Sequence, residues 1–520
     1  MIKDKLLRAA RLLLVLATFP LATLAQDAWD GDAVAKLQSR MASGATSSRK
    51  LVEQSLARID AIDAHGPSIN SVIEVNPDAL KIADELDAER ASKGPRGPLH
   101  GIPVLLKDNI DTGDRMLTTA GSLALVGSHP AQDAFLVTKL RAAGAVILGK
   151  TNLSEWANWR STRSTSGWSG RGGLTRNPYA LDRNTCGSSS GSGAAVAADL
   201  APLAVGTETD GSIVCPSSIN GLAGIKPTVG LVSRSGVIPI SASQDTAGPM
   251  ARSVADAVAL LNALVGADPK DAATTVKTRP ADTDYSQFLK ADGLRGARIG
   301  VARNLAGFDD RVDKLFDQAI AAMREQGAII VDKVEVKGGK PLDDAELTVL
   351  HYEFKDGINK YLATRTDGPQ TLADLIAFNE KESAREMPHF GQEIFIKSQA
   401  SGPLTAREYR GAAAKAKRLA GAMGIDAALK KNRLDAIVAP TTGPAWTTDL
   451  VNGDRYTGGA ASQSAAMAGY PHVTVPSGFV QGLPIGVSFI GPAWSEPTLI
   501  RLAYAYEQAT KLRRPPKLPQ

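Results

Sequence analysis

Apolar positions along this chain follow two periods, and the two alternate. Leu51, Ser55, Leu56 and Ile59 fall on one face of a 3.6-residue repeat, and 78–91 is dense in helix formers, so residues from about 46 to 93 read as helical. A Pro/Gly-rich turn at 94–103 leads into an apolar run at 102–106 that reads as a strand. A helix at 133–143, a stop at Gly144 and a strand at 145–148 follow. Ser253 and Asp256 have capping-box spacing ahead of a helix at 254–265, which Gly266 ends. Val312, Leu315, Phe316, Ala319, Ile320 and Met323 mark another amphipathic helix, with a strand at 328–331 behind it. Short buried strands at 436–439 and 473–475 and a helix at 498–508 complete the pattern. Strands interleaved with helices predict an α/β fold with a twisted sheet, mixed and mostly parallel, surrounded by helices. There is no repeat and no convincing linker, so one large domain is expected.

Two stretches break the alternation. Residues 161–250 are rich in Ser, Thr and Gly and poor in charge, and a long loop-like stretch inside a domain is usually functional. Residues 267–430 carry little that points to chemistry. At 520 residues, 43% hydrophobic and 22% charged, the composition excludes disorder, and two cysteines exclude a disulfide-stapled scaffold.

The net charge of +5 is unevenly placed. Residues 1–25 carry +3, the tail holding Lys511, Arg513, Arg514 and Lys517 carries +4, and the remainder is near −2. No basic face for a polyanion is implied, so no nucleic-acid partner is expected. The first 25 residues read as an address. A basic segment to Arg11 precedes a largely apolar run at 12–24, and Thr23-Leu24-Ala25 offers small residues for cleavage after Ala25. The run is shorter than the roughly 20 apolar residues of a membrane span and contains Pro20. The expectation is a signal peptide at 1–25 and a mature chain at 26–520, periplasmic or secreted, without stable membrane insertion.

Three familiar patterns match and fail on mechanism. Gly144-Ala-Val-Ile-Leu-Gly149-Lys150-Thr151 has phosphate-loop spacing, but its four intervening residues are themselves the apolar strand, where a phosphate loop needs exposed N–H groups. Gly187-Ser188-Ser189-Ser190-Gly191 has nucleophile-elbow spacing centred on Ser189, without the hydrophobic strand that must precede it. Ser47-Ser-Arg-Lys50 reads better as a helix start. The six histidines have no metal-ligand spacing, so neither metal nor cofactor is expected.

Three segments place a polar group in or beside a Gly-rich turn with apolar flanks. In Gly101-Ile-Pro-Val-Leu-Leu-Lys107-Asp108-Asn109, a lysine ends a buried strand. Burial can lower its pKa from about 10.4 toward neutrality and make it a base; a salt bridge to Asp108 is the alternative. Cys186-Gly-Ser188-Ser-Ser-Gly-Ser-Gly193 runs into a small-residue helix at 194–199. Gly206-Thr-Glu-Thr209-Asp210-Gly211-Ser212 follows a strand at 203–205, and its small residues can turn several N–H groups toward one oxyanion.

Together these segments resemble the amidase signature family of serine hydrolases. The likeness extends through Gly149-Lys-Thr-Asn152, Asn177-Pro, Gly224-Ile-Lys-Pro-Thr228, Gln244-Asp-Thr-Ala-Gly-Pro-Met-Ala-Arg-Ser253, Ala468-Gly-Tyr-Pro471 and Gly482-Leu-Pro-Ile-Gly486. It implies the amidase signature fold and a catalytic unit of serine, cis-serine and lysine. On the matching positions Ser212 is the nucleophile, Ser188 the bridging cis-serine and Lys107 the base. The backbone N–H groups of Thr209, Asp210, Gly211 and Ser212 form the oxyanion hole. A non-proline cis bond before Ser188 costs about 3–4 kcal/mol and must be held by its surroundings. Many relatives have glycine at the place of Asp210.

Within the family the likeness is to bacterial peptide amidases, which remove the C-terminal amide of peptides. The implied reaction is hydrolysis of a carboxamide to a carboxylate and ammonia through an acyl-enzyme, with a small-molecule or peptide amide as partner. Two alternatives remain at this point: an esterase or aryl-acylamidase on the same machinery, and a non-catalytic exported amide-binding protein. Cys186 and Cys215, near Ser188 and Ser212, read as packing thiols, with a disulfide as the alternative if export brings oxidation.

Overall fold

The computed structural model describes residues 33–456, 458–459 and 461–518; the predicted signal segment lies outside them. Thirteen strands form among the described residues: β1 (Val72–Val75), β2 (Pro103–Lys107), β3 (Val146–Thr151), β4 (Trp168–Ser169), β5 (Gly173–Leu174), β6 (Leu203–Glu208), β7 (Ala223–Lys226), β8 (Thr246–Ala251), β9 (Arg298–Val301), β10 (Ile329–Val331), β11 (Ala436–Pro440), β12 (His472–Val480) and β13 (Leu483–Ile490). Eleven make one sheet in the order β1-β3-β2-β6-β8-β7-β12-β13-β11-β9-β10, and β4 and β5 pair separately. Helices surround this sheet in a single domain.

The sheet is mixed, as the pattern predicts. Parallel pairing holds in two blocks, β3-β2-β6 and β11-β9-β10. The strands between them, and β1 at the edge, run antiparallel. The β12–β13 hairpin shows one local cause. Its two turn residues, Gln481 and Gly482, have φ of 50° and 82°, the conformation whose twist matches a two-residue hairpin.

Residues 46–93 are not continuously helical. A helix at Ser48–Arg58 passes into a π-helix at Ile59–Ala64, and β1 intervenes before the helix at Ala79–Lys93. The Asp63 carboxylate receives the N–H groups of Ser71 (2.7 Å) and Val72 (2.9 Å), which turns the chain into β1. β1 then pairs with β3. That tertiary pairing, absent from local periodicity, decides the state of the short Val-Ile-Glu-Val segment. The other expected elements form with their ends shifted by a few residues. Ser253 Oγ caps the helix at Val254–Leu264 by accepting from Asp256 N–H, while the Asp256 carboxylate receives Val34 N–H (2.9 Å).

One helix does most to position the site. Ser190–Ala197 starts inside the Ser/Gly run, four residues earlier than propensity predicts, and every one of its residues is buried. Its small side chains let it pack closely on β2, β3 and β6. A Cβ on Gly191 would lie 2.3 Å from the Ser71 carbonyl oxygen and 2.5 Å from that of Asn152. Glycine is the residue that fits there, and close packing overrides its poor helix propensity.

Candidate active site

β2 is buried at all five positions, and parallel pairing with β3 and β6 puts Lys107 at its C-terminal end beside Thr207. Lys107 Nζ donates to Ser188 Oγ (2.7 Å), Thr207 Oγ1 (2.8 Å) and the Thr207 carbonyl (3.2 Å). The alternative ion pair with Asp108 does not form. Successive strand side chains point to opposite faces, and the Asp108 carboxylate meets Arg171 (3.3 Å) and the Thr119 hydroxyl instead. Burial pushes Lys107 down to about 7, against the opposing pull of the Asp245 and Glu208 carboxylates. A lysine in this range supplies a neutral amine near pH 7.

The Gly187–Ser188 peptide is cis, as the resemblance implies. The Ser188 carbonyl accepts Ser154 N–H (3.1 Å), and Ser189 N–H donates to the Ser212 carbonyl (3.2 Å). Ser189 is not an exposed elbow nucleophile. It is fully buried, its hydroxyl donates to the Thr207 carbonyl (3.0 Å) and accepts Thr207 N–H (3.2 Å), and so it braces the residue that holds Lys107.

β6 ends at Glu208, whose Oε2 receives Ile213 N–H (2.7 Å) and Val214 N–H (3.0 Å) at the start of the helix Val214–Ile219. The intervening chain is forced into a tight arch, with Gly211 at φ 77°. Among the described residues, none of the N–H groups of Thr209, Asp210, Gly211 and Ser212 has a protein acceptor. All four residues line one cavity of about 520 Å³. Unbonded donors around a cavity are the arrangement an oxyanion requires. No hydrogen bond joins the Ser188 and Ser212 hydroxyls among the described residues; the two serines are tied through Ser189 N–H.

Cys186 and Cys215 form a disulfide, with Cα atoms 6.0 Å apart. This corrects the packing-thiol reading. The two cysteines lie 29 residues apart in sequence, and only folding shows that the Ser188 loop and the turn after Ser212 are neighbours. The bridge lines the cavity between the two serine segments.

The rest of the cavity wall comes from residues that carried no local signature. The helix Lys340–Leu362 contributes Glu346, Leu347 and Leu350. Glu346 lies four residues after buried Leu342 and four before buried Leu350, so an acidic residue on an apolar face was its signal. Gln244 Nε2 (2.9 Å) and Gln463 Nε2 (3.1 Å) donate to its carboxyl group. Burial, with the Glu346 charge next to it, pushes Asp210 well above the usual carboxylate range, and burial pushes Glu346 up as well. Trp159, Trp446 and Asp454 line other parts of the wall.

The refused motifs sit where their mechanisms place them. Gly149, Lys150 and Thr151 are residues of β3, and Lys150 Nζ donates to the Ile110 carbonyl (2.7 Å). Ser47 caps its helix by accepting Lys50 N–H (3.3 Å). Among the described residues no histidine lines the cavity, and no cluster of His, Cys, Asp and Glu is spaced for a metal ion.

A family model for amidases matches residues 50–500. A probable amidase of Arabidopsis thaliana is 44% identical over 481 residues, spanning 91% of this chain and 88% of that protein. The crystal structure of the peptide amidase PAM with the competitive inhibitor chymostatin superposes with a TM-score of 0.91 at 55% identity, over 93% of this chain and 98% of the other. The native peptide amidase from Stenotrophomonas maltophilia gives 0.89 at 53% identity, over 94% and 98%.

Proposed function

The chain belongs to the amidase family and is an amide-hydrolysing enzyme, and from that premise we propose that it hydrolyses the C-terminal carboxamide of peptides through Ser212, Ser188 and Lys107. Family membership sets aside the binding-protein alternative. The observation that carries the site is the 2.7 Å hydrogen bond between Lys107 and Ser188, made by a fully buried lysine brought down to about 7.

In the proposed reaction Ser212 Oγ attacks the carboxamide carbon. Its proton passes to Ser188 Oγ, and the Ser188 proton passes to the neutral Lys107 amine. The N–H groups of residues 209–212 hold the oxyanion of the tetrahedral intermediate. Lys107 returns the proton through Ser188 to the departing nitrogen, the C–N bond breaks, and ammonia leaves. Water then attacks the Ser212 ester with the same relay as base, releasing the carboxylate and restoring Ser212. The contact between the two serine hydroxyls forms when substrate is bound, since catalytic hydrogen bonds tighten in the Michaelis complex.

The peptide part of the proposal is supported by the likeness to two peptide amidase structures and by a cavity several times larger than a simple aliphatic amide. The test is ammonia release from peptide amides, simple amides and matched esters by the protein and its Ser212→Ala variant. Release from peptide amides, lost in the variant, is expected. Turnover confined to small amides, or to esters, would move the substrate class.

The proposal includes export, with residues 1–25 removed after Ala25. The Cys186–Cys215 disulfide supports an oxidising compartment. N-terminal sequencing of protein recovered from the periplasm or medium is expected to begin at Gln26; a full-length protein in the cytoplasm would overturn export.

A further inference from the structure

Single apolar side chains standing in water are ordinary on a protein surface, but two of them here line the same substrate cavity. Leu347 is 49% exposed and Tyr456 54% exposed, and the wall they share also holds Ser212. Each adjoins buried apolar surface of that wall. Leu350, one helical turn after Leu347, is 6% exposed, and the Tyr456 ring packs at 5.9 Å on Trp446, which is 7% exposed. The loop that carries Tyr456 is fixed on both sides of it. Asp454 receives Ser166 N–H (3.1 Å) and Trp446 Nε1–H (3.2 Å), and the Gly458 carbonyl accepts Gly443 N–H (3.1 Å). A Cβ on Gly459 would come within 2.3 Å of the Phe308 ring, so this end of the loop packs directly against that ring. Partial burial, and after it the charges of Asp210 and Asp343, push the Tyr456 hydroxyl above its ordinary value. Tyr456 therefore stands near the helix face that carries Asp343 and, four residues on, Leu347.

We propose that Leu347 and Tyr456 form an apolar clamp at the cavity mouth that grips the side chain of the residue preceding the amidated one, an inference that rests on the peptide-amide reading. The scissile carboxamide must reach Ser212, which is 9% exposed, so the peptide upstream of it leaves the cavity outward, past the half-exposed side chains. Only ammonia lies on the other side of the scissile bond, so every side chain of the substrate is on this outward path. Apolar surface that enzyme and substrate both expose when apart, and cover when joined, favours binding in proportion to its area. The helix and the anchored loop hold the two side chains in place beforehand, so little ordering is lost on binding. The grip is remote from the reacting carbon and acts alike on bound substrate and transition state, so its effect falls on KM.

The experiment measures ammonia release from N-acetyl-X-glycinamide with X as Leu, its near-isostere Asn, or Gly, and from N-acetylglycyl-X-amide with the same X. In the unaltered enzyme Leu is expected to exceed both Asn and Gly at the first position by about five- to thirtyfold in kcat/KM, mostly through KM. In Leu347→Ser and in Tyr456→Ser that ratio is expected to shrink, and in the double variant Leu, Asn and Gly are expected to agree within about threefold. Equal turnover of the three by the unaltered enzyme would overturn the clamp without needing any variant to fold. A Leu preference that persists in the double variant would overturn it too, even if turnover of every substrate fell together. A preference that the variants remove only from N-acetylglycyl-X-amide would place the grip on the amidated residue and overturn the assignment to the one before it. If Leu, Asn and Gly agree but all outrun propionamide, the clamp fails and the peptide-amide reading stands. If none of the peptide amides outruns propionamide, the peptide-amide reading itself fails, and the clamp with it.

Discussion

Lys107 Nζ lies 2.7 Å from Ser188 Oγ, and neither residue has any exposed surface. Among the described residues the amine is held by three oxygen acceptors and no ion pair, so burial dominates its titration and brings it down to about 7. A base acts in its deprotonated form. The acylation rate is therefore expected to rise with pH through about 7 and to level above it. Measured from pH 5 to 9 on an amide substrate, a flat profile would exclude Lys107 as the base. Lys107→Met is expected to lower kcat by ~10²–10⁴-fold, the usual contribution of general-base catalysis.

The two neighbouring serines separate chemistry from bracing. Ser212→Ala removes the nucleophile and is expected to lower kcat by ~10⁴-fold or more. Ser189→Ala removes the hydroxyl that bonds both backbone groups of Thr207. It is expected to cost about 1–3 kcal/mol of stability, because two buried hydrogen bonds are lost and their backbone partners are left behind, while retaining most activity. Urea unfolding and ammonia release on the two variants check this, and an inactive, fully stable Ser189→Ala would favour the elbow reading.

How much of this site was legible depended on whether its signal was local. Lys107 ends an apolar run, and Ser188 and Ser212 sit in Gly-rich turns a few residues from their strands or helices, so each carried its own context. The Cys186–Cys215 pairing was not legible, because it depends on two loops meeting in space. Trp159 and Glu346 were missed because each looks like an ordinary part of a buried segment until the cavity gives it a face. The same limit applies to the sheet. Periodicity located six of the thirteen strands, β2, β3, β6, β10, β11 and β12, but not their directions, and β1 was hidden in a segment whose state is set by pairing with β3.

The disulfide joins residues 29 apart in sequence. Closing a loop of that length in the unfolded chain is worth about 3–4 kcal/mol in the chain-entropy model. Replacing both cysteines by serine is expected to lower the urea midpoint and to raise KM more than it lowers kcat, since the bridge lines the cavity and does not touch Lys107. An unchanged midpoint would show that the bridge adds nothing to stability.

The carboxylates around Lys107 allow its titration to be moved in a known direction. Asp245, itself pushed up to about 6 by burial, is charged near neutral pH and favours the protonated lysine, and Glu208 acts the same way less strongly. Removing the Asp245 charge with Asp245→Asn takes away support for the ammonium form and lowers the lysine pKa further. The rising limb of the pH–rate profile is therefore expected to shift to lower pH, so that the variant keeps a larger share of its maximal rate at pH 6. Asp245 also receives the Thr209 hydroxyl (2.6 Å) and the N–H groups of Ile240 and Ser241 (both 2.8 Å), so the maximal rate is expected to fall as the 209–212 arch loosens. The two effects separate in one experiment, because the plateau reports the arch and the midpoint of the limb reports the lysine. A midpoint that stays in place or moves up would mean that the limb belongs to another group.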